Sequence, residues 1–483
     1  VAVAGASGFV GRHLVDRLCA DHDVIALGRS AGSGSSWRGT SARARSCDLF
    51  SLRDAETALQ GVDVAYYLVH SMMPTARLTQ ARFEDMDAII ADNFGRAAAL
   101  AGVKQIVYLG GLIPSDSELS KHLESREEVE TLLGAHGVSV TVLRAGLVVG
   151  KGGSSLDIMT KLVQRLPVMV CPSWTDSRTQ PIALSDVVEL LARCAGHEKV
   201  IGRVFDVGGS DVLTYREMMR RTAEVMGVKR TFVSIGMFTP GLSTLWVSLV
   251  TGSSRALVGP LVQSLKHPMV AENDELARIF GVEPIGFEQA LRAAFTDERP
   301  GHDGRIQTAD LIAPVTPVND DRAMTRPASD APDVRSIQRL HLDEETDAIS
   351  VASAYLEWLP HFCRPWLRVD VDAAGVCKFM VRGTKICLLE LSYSKERSSR
   401  DRALLYITSG VLALIREGDR DRLEFRMLPG GRSVLAAIHD FTPALPWFIY
   451  KVTQAQAHLI VMRAFGRHLR RRSVPENRRL PSP

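Results

Sequence analysis

The stretch Val1-Ala2-Val3-Ala4-Gly5-Ala6-Ser7-Gly8-Phe9-Val10-Gly11-Arg12-His13-Leu14-Val15-Asp16-Arg17-Leu18 decides the fold. An apolar run, Val1 to Ala4, meets three glycines and then an amphipathic stretch led by Leu14, Val15 and Leu18. That order predicts a strand, a tight turn and a helix. Gly5 permits the turn, Gly8 lets the backbone approach a pyrophosphate, and Gly11 lets the helix pack closely on the strand. The helix N-terminus adds free N–H groups and a partial positive charge. Gly5, Ser7, Gly8, Phe9, Val10 and Gly11 are therefore expected to hold a dinucleotide. Three glycines alone are a weak motif, and their place at a strand-to-helix junction is what gives them meaning.

Downstream, strands and helices alternate. A second strand, Val24 to Leu27, ends in Gly28-Arg29-Ser30, with no carboxylate for a ribose 2′-hydroxyl. Arg29, with Ser30 beside it and Arg12 in support, suits a 2′-phosphate, so NADP(H) is expected over NAD(H). A Gly, Ser and Arg-rich loop (30–46) leads to Cys47-Asp48-Leu49, then a helix (52–59) and a strand (62–69) ending at His70-Ser71. A helix (83–101) and a strand (105–109) follow. This alternation predicts an α/β fold with a doubly wound parallel Rossmann sheet. Ligands of such sheets bind at the carboxyl ends of the strands. The glycine turn, Arg29, Leu68, Val69, His70, Leu109, Gly110 and Gly111 thus fall on one rim.

The spacing G-x-x-G-x-x-G resembles the short-chain dehydrogenase/reductase (SDR) superfamily. In that family an Asp-Leu pair placed like Asp48-Leu49 lies against the adenine. The run Arg144-Ala145-Gly146-Leu147-Val148-Val149-Gly150 after the strand 138–143 is similar to the L-R-P-x-x-V-x-G segment of extended and atypical members, with Ala145 in place of proline. The resemblance implies that Arg144, Ala145 and Gly146 pass beside the nicotinamide. Thr179-Gln180-Pro181-Ile182, Ser185-Asp186-Val187, and Phe205-Asp206-Val207-Gly208-Gly209 before Thr214 keep the same order. It covers roughly residues 1–300, with 150–300 contributing a small substrate subdomain, and within the superfamily the module looks NmrA-like.

Catalytic members carry a serine past the fifth strand and a Tyr-x-x-x-Lys on the next helix. Here the strand ends Tyr108-Leu109-Gly110-Gly111, and His122 and Arg126 stand in the places of tyrosine and lysine. Spaced i, i+4, the two share a helix face. They are either a remodelled proton donor and ribose contact beside the nicotinamide, or ordinary polar residues in a protein that binds the cofactor without turning it over. Ser115, Ser117 and Ser120 read as turn formers. Trp174, Arg178 and Gln180 are lesser candidates for a substrate cleft.

Residues 301–335, rich in Pro, Asp, Thr and Arg, read as a linker. Beyond it a strand (336–342), a helix (346–362), six strands between 367 and 439, and one long helix (447–470) predict a separate α+β domain with an antiparallel sheet, 336–472, followed by a tail, 473–483. That order resembles helix-grip folds of the START/polyketide-cyclase type, which implies an apolar ligand between sheet and helix. His439 and Asp440 are consecutive on a strand and point to opposite faces, so they form no dyad.

The whole chain bounds these readings. Its 483 residues are 46% hydrophobic and 23% charged, with a net charge of +3. That length asks for two or three domains, and that charge argues against nucleic-acid binding. Seven scattered cysteines without a C-x-x-C pair argue for reduced thiols and against a zinc site, so no metal is expected. No apolar run reaches the ~20 residues of a membrane span. The chain starts on its first strand without a Met, so a few native residues are expected before it. No signal peptide is read, and the expected location is the cytoplasm. Two readings stay open: an NADP(H)-dependent oxidoreductase of a small carbonyl, enone or quinone-like substrate, and a non-catalytic NADP(H)-binding redox sensor or scaffold with a protein partner.

Overall fold

A computed structural model describes residues 1–29, 40–70, 78–114, 119–235, 248, 250–252, 259, 264–265, 267–296, 334–415, 421–471 and 480. Ser30, Ser71, Ser115, Ser117, the expected linker up to residue 333 and nearly all of the expected tail lie outside them. The chain divides into two compact units, Val1–Met73 with Ile90–Arg326, and Pro74–Ile89 with Pro327–Pro483.

In chain order the first elements are β1 (Ala2–Ala4), α1 (Phe9–Leu18), β2 (Ile25–Gly28), β3 (Arg43–Ser46), α2 (Leu52–Ala58), β4 (Val64–Tyr67), β5 (Leu78–Gln80), α3 (Phe83–Leu100), β6 (Gln105–Gly111), α4 (Lys121–Gly134) and β7 (Ser139–Ala145). After them come α5 (Ser154–Arg165), α6 (Leu184–Arg193), β8 (Val204–Val207) and α7 (Tyr215–Val225). Seven strands form one parallel sheet in the order β8-β7-β6-β4-β1-β2-β3. Its central strands are buried on both faces, which is why they read as unbroken apolar runs. Leu14, Val15 and Leu18 of α1 and Val187, Leu190 and Leu191 of α6 share one core with Val3, Val107 and Leu143 of the sheet. A second core joins α5, α7 and the helix Phe287–Phe295 around Leu156, Met218 and Leu291.

In the C-terminal unit, β9 (Val334–His341) and α8 (Ala348–Phe362) precede a six-stranded antiparallel run. The run is β10 (Leu367–Val371), β11 (Val376–Val381), β12 (Cys387–Tyr393), β13 (Arg402–Ser409), β14 (Arg422–Met427) and β15 (Ser433–Phe441). The sheet order is β10-β11-β12-β13-β14-β15-β9-β5, and only the last pair is parallel. α8 and α9 (Gln454–Leu469) put Leu356, Leu359, Met462 and Phe465 into one core with Leu405, Phe425 and Ala436. The other face buries charge: Glu424 accepts from Arg402 Nε at 2.9 Å and Arg426 Nε at 2.7 Å, and Asp440 accepts from Arg422 Nη1 at 2.7 Å.

Four expectations need correction. Residues 43–46, read as loop, form β3, whose arginine-rich edge carries little apolar signal. Residues 78–80, which lie between the expected strand 62–69 and the expected helix 83–101 where no element was read, form β5 and pair with Val334–Ser336. β9 starts at Val334, inside the expected linker. The long final helix is two, Trp447–Val452 and α9, broken where Thr453 takes φ −116° and ψ −84°.

Candidate functional site

The glycine turn is built by close approach. Gly5 sits at φ +83°, and a Cβ there would lie 2.8 Å from the Leu68 carbonyl oxygen. A Cβ at Gly11 would lie 2.1 Å from the Gly5 carbonyl oxygen, so only glycine lets α1 start this near β1. Gly8 caps α1 in extended conformation without a side-chain bond, and its N–H donates to Gly5 O at 2.9 Å. The first turn holds no acidic residue, and there an α-helix has no carbonyl partners for the N–H groups of Phe9, Val10 and Gly11. An anion fits this end. Ser7 is exposed beside it.

The rest of the rim assembles around the turn. Leu68 N–H donates to Ala4 O at 3.0 Å, placing Leu68, Val69 and His70, all half-buried, next to Gly5. Exposed Arg29 follows β2, and its carbonyl accepts from Ser46 Oγ at 3.4 Å. Asp48 Oδ1 accepts from Phe50 N at 3.1 Å, which fixes the turn into α2, and Leu49 O accepts from Asn93 Nδ2 at 2.8 Å. Arg12 packs instead on the segment after β7, its Nη2 donating to Lys151 O at 3.3 Å.

Ser120 caps α4, accepting from Leu123 N at 3.4 Å. The helix then brings His122 to His70, ring centroids 5.3 Å apart. Buried Arg126 donates through Nη1 to Tyr108 Oη at 3.4 Å. Gly110 and Gly111 continue β6 in register with Arg144 and Ala145, so the strand is two residues longer than the apolar run. A Cβ at Gly110 would lie 3.0 Å from Tyr108 Cε1 and 3.3 Å from Glu130 Oε1. Arg144 grips Glu130 with two bonds, Nε to Oε1 at 2.9 Å and Nη2 to Oε2 at 2.6 Å. The carboxylate holds Arg144 charged, while burial pushes the Glu130 carboxyl above its usual range against the pull of the guanidinium. Gly146 is pressed by Gln180 O, 3.1 Å from where its Cβ would stand.

Glu130 and Tyr108 are the partners that sequence reasoning missed. Glu130 lies fourteen residues before Arg144 on another element, and no local pattern marks such a pair. Gln180 is drawn inward: its Nε2 donates to Gly209 O at 2.7 Å and its Oε1 accepts from Ala271 N at 3.0 Å. It lines a cavity of about 250 Å³ at the end of β8 with Asp206, Gly208, Ser210, Asn273 and Asp274. Burial raises the Asp206 carboxyl there. Trp174 packs edge-on to Tyr215. Among the described residues no group of three or more His, Cys, Asp or Glu is arranged for a metal, and the seven cysteines are free.

Residues 5–163 match the model of an NAD(P)H-binding family. An auxiliary protein, GraX, of Staphylococcus aureus is 29% identical over 148 residues, 29% of this chain and 42% of that protein. The chain thus spans less than half of that relative's length. A ceramide reductase of Caulobacter vibrioides is 28% identical over 263 residues, 53% of this chain and 80% of the relative. Among solved structures, an Escherichia coli NADPH-dependent quinone oxidoreductase in complex with NADPH superposes with a TM-score of 0.51 at 19% identity. It covers 61% of this chain and 99% of its own, a likeness of fold. The N-terminal unit thus has a Rossmann fold, and residues 5–163 within it match the NAD(P)H-binding family.

Proposed function

We propose that this NAD(P)-binding Rossmann chain is an NADPH-dependent reductase of an apolar carbonyl, enone or quinone-like acceptor, working at the rim of its N-terminal unit. The glycine turn carries the reading, because a helix end without acids, opened by three missing side chains, suits a pyrophosphate. When bound, the reduced nicotinamide supplies the hydride. Gly5, Ser7, Gly8, Phe9, Val10 and Gly11 hold the pyrophosphate, and Arg29 with Ser30 pairs with a 2′-phosphate. Asp48 and Leu49 flank the adenine, Leu68, Val69 and His70 the ribose side, and Leu109, Gly110, Arg144, Ala145 and Gly146 the nicotinamide side. His122 holds a proton for the acceptor oxygen, the general-acid role that an imidazole ring nitrogen suits. Arg126, tied to Tyr108, keeps the helix face in place. The names of the Caulobacter relative and of the Escherichia coli structure, reductases of a ceramide and a quinone, agree with an apolar acceptor.

The test is a fluorescence titration with NADPH and NADH on wild type and Arg29→Glu, then a carbonyl, enone and quinone panel on wild type and His122→Ala. NADPH should bind more tightly than NADH, Arg29→Glu should erase the difference, and His122→Ala should lower kcat about a hundred-fold or more. Equal affinity for both nucleotides would remove the 2′-phosphate assignment. A second reading, a non-catalytic NADP(H)-binding sensor or scaffold, is favoured by Gly110 and Gly111 where a catalytic serine is expected. Tight binding without turnover across the panel would select it.

A further inference from the structure

One end of the C-terminal unit's sheet is apolar and basic at its surface. Backbone hydrogen bonds string its segments together. Arg382 N–H donates to Trp366 O at 2.8 Å, Val411 N–H to Cys387 O at 3.1 Å, Leu414 N–H to Thr442 O at 2.9 Å and Ala444 N–H to Leu412 O at 3.1 Å. The hairpin between β11 and β12 is closed by Val381 N–H to Ile386 O at 2.9 Å, and residue 444 leads into the short helix Trp447–Val452. Along this ladder and the short helix it leads into, Trp366, Phe448 and Val452 are 75%, 73% and 70% exposed, and Ile386, Val411 and Leu414 about half.

Single exposed hydrophobic residues are ordinary on any surface, whereas a gathered set marks an interaction site. Here they are gathered. Among the described residues of this unit, the exposed large hydrophobics all lie on these segments or at the adjoining end of α8, Ile460 excepted. The charge on the same segments is one-sided. Residues 362–366, 381–387, 410–415 and 442–453 contain Arg364, Arg382, Lys385 and Lys451, all exposed, and no Asp or Glu.

We propose that this end of the C-terminal unit docks peripherally on an anionic lipid bilayer. Trp and Phe side chains favour the headgroup boundary, aliphatic side chains enter just below it, and flanking Lys and Arg meet anionic headgroups. Self-association through the same patch would set these cations against their own copies, which charge opposes. No helix among the described residues is long and apolar enough to cross a membrane. The inference does not rest on the cofactor reading and stands if NADPH fails to bind.

The experiment is co-sedimentation of the full chain with vesicles of phosphatidylglycerol and phosphatidylcholine in equal parts, and of phosphatidylcholine alone. Wild type should partition at least about ten-fold more strongly onto the anionic vesicles and lose most of that between ~0.1 M and ~1 M salt. Lys385→Glu with Lys451→Glu should weaken binding about ten-fold or more. Trp366→Ser with Phe448→Ser should also release the protein at low salt, while circular dichroism of both variants matches wild type. Four outcomes would overturn the proposal: no vesicle binding, equal binding to both compositions, binding that neither double variant moves, or a dimer seen by light scattering that Trp366→Ser with Phe448→Ser abolishes.

Discussion

A methyl group added at Gly11 would meet the carbonyl oxygens of Gly5 and Ala6 at 2.1 and 2.9 Å, both of them backbone atoms that cannot turn aside. Gly11→Ala is therefore expected to cost more than ~2 kcal/mol of stability and to abolish the NADPH binding proposed above, read by urea unfolding and nucleotide titration. Gly134→Ala is the contrast. Its Cβ would meet only Val140 Cγ2 at 3.5 Å, and unchanged stability within ~0.5 kcal/mol is expected. At this scale the glycines were legible because turn chemistry is local. The engagement of Arg144 with Glu130 and of Arg126 with Tyr108 was not, since each pair joins two elements whose meeting depends on packing.

At the scale of elements, α7 shows what a short pattern specifies. Thr214 accepts from Glu217 N at 3.1 Å while the Glu217 carboxylate accepts from Thr214 N at 2.8 Å, a capping box. Thr214→Ala should lower stability by about 1 kcal/mol and Thr214→Ser by less, measured by denaturant midpoints at constant m-value. Elements with weaker marks were misread for physical reasons. β3 is an edge of Arg43, Ala44, Arg45 and Ser46, and β5 has three residues, too few for a period. The break at Thr453 interrupts a run whose composition is helical on both sides, so no proline or glycine announced it.

At the scale of the molecule, acid sensitivity has a source in the C-terminal unit. His458 Nε2 is shut from solvent, with no hydrogen-bond partner among the described residues, and burial lowers the imidazole pKa from 6.5 to about 4. Between those two values the unfolded chain binds a proton that the folded chain refuses. Stability is thus whole above about pH 6.5, falls as pH drops toward 4, and loses up to ~3 kcal/mol from this site. Unfolding of wild type and His458→Gln across that window should show a shallower slope for the variant. An identical slope would exclude His458 as the source. The Glu424 carboxyl, held low against its burial by Arg402 and Arg426, adds loss as pH falls through the ordinary carboxylate range and below it.

The sequence by itself determined the strand-turn-helix start, the doubly wound parallel Rossmann class and, the split of the final helix excepted, the succession of strands and helices after residue 336, because turn residues and hydrophobic period act between near neighbours. Tertiary structure alone decided that residues 78–80 join the C-terminal sheet, that His122 faces His70 and that Arg144 closes on Glu130. It also gathered Trp366, Ile386, Val411 and Phe448 on one end of a sheet. Those residues are scattered over some eighty positions of chain, and only the ladder of backbone hydrogen bonds, which pairs distant segments edge to edge, makes them one surface.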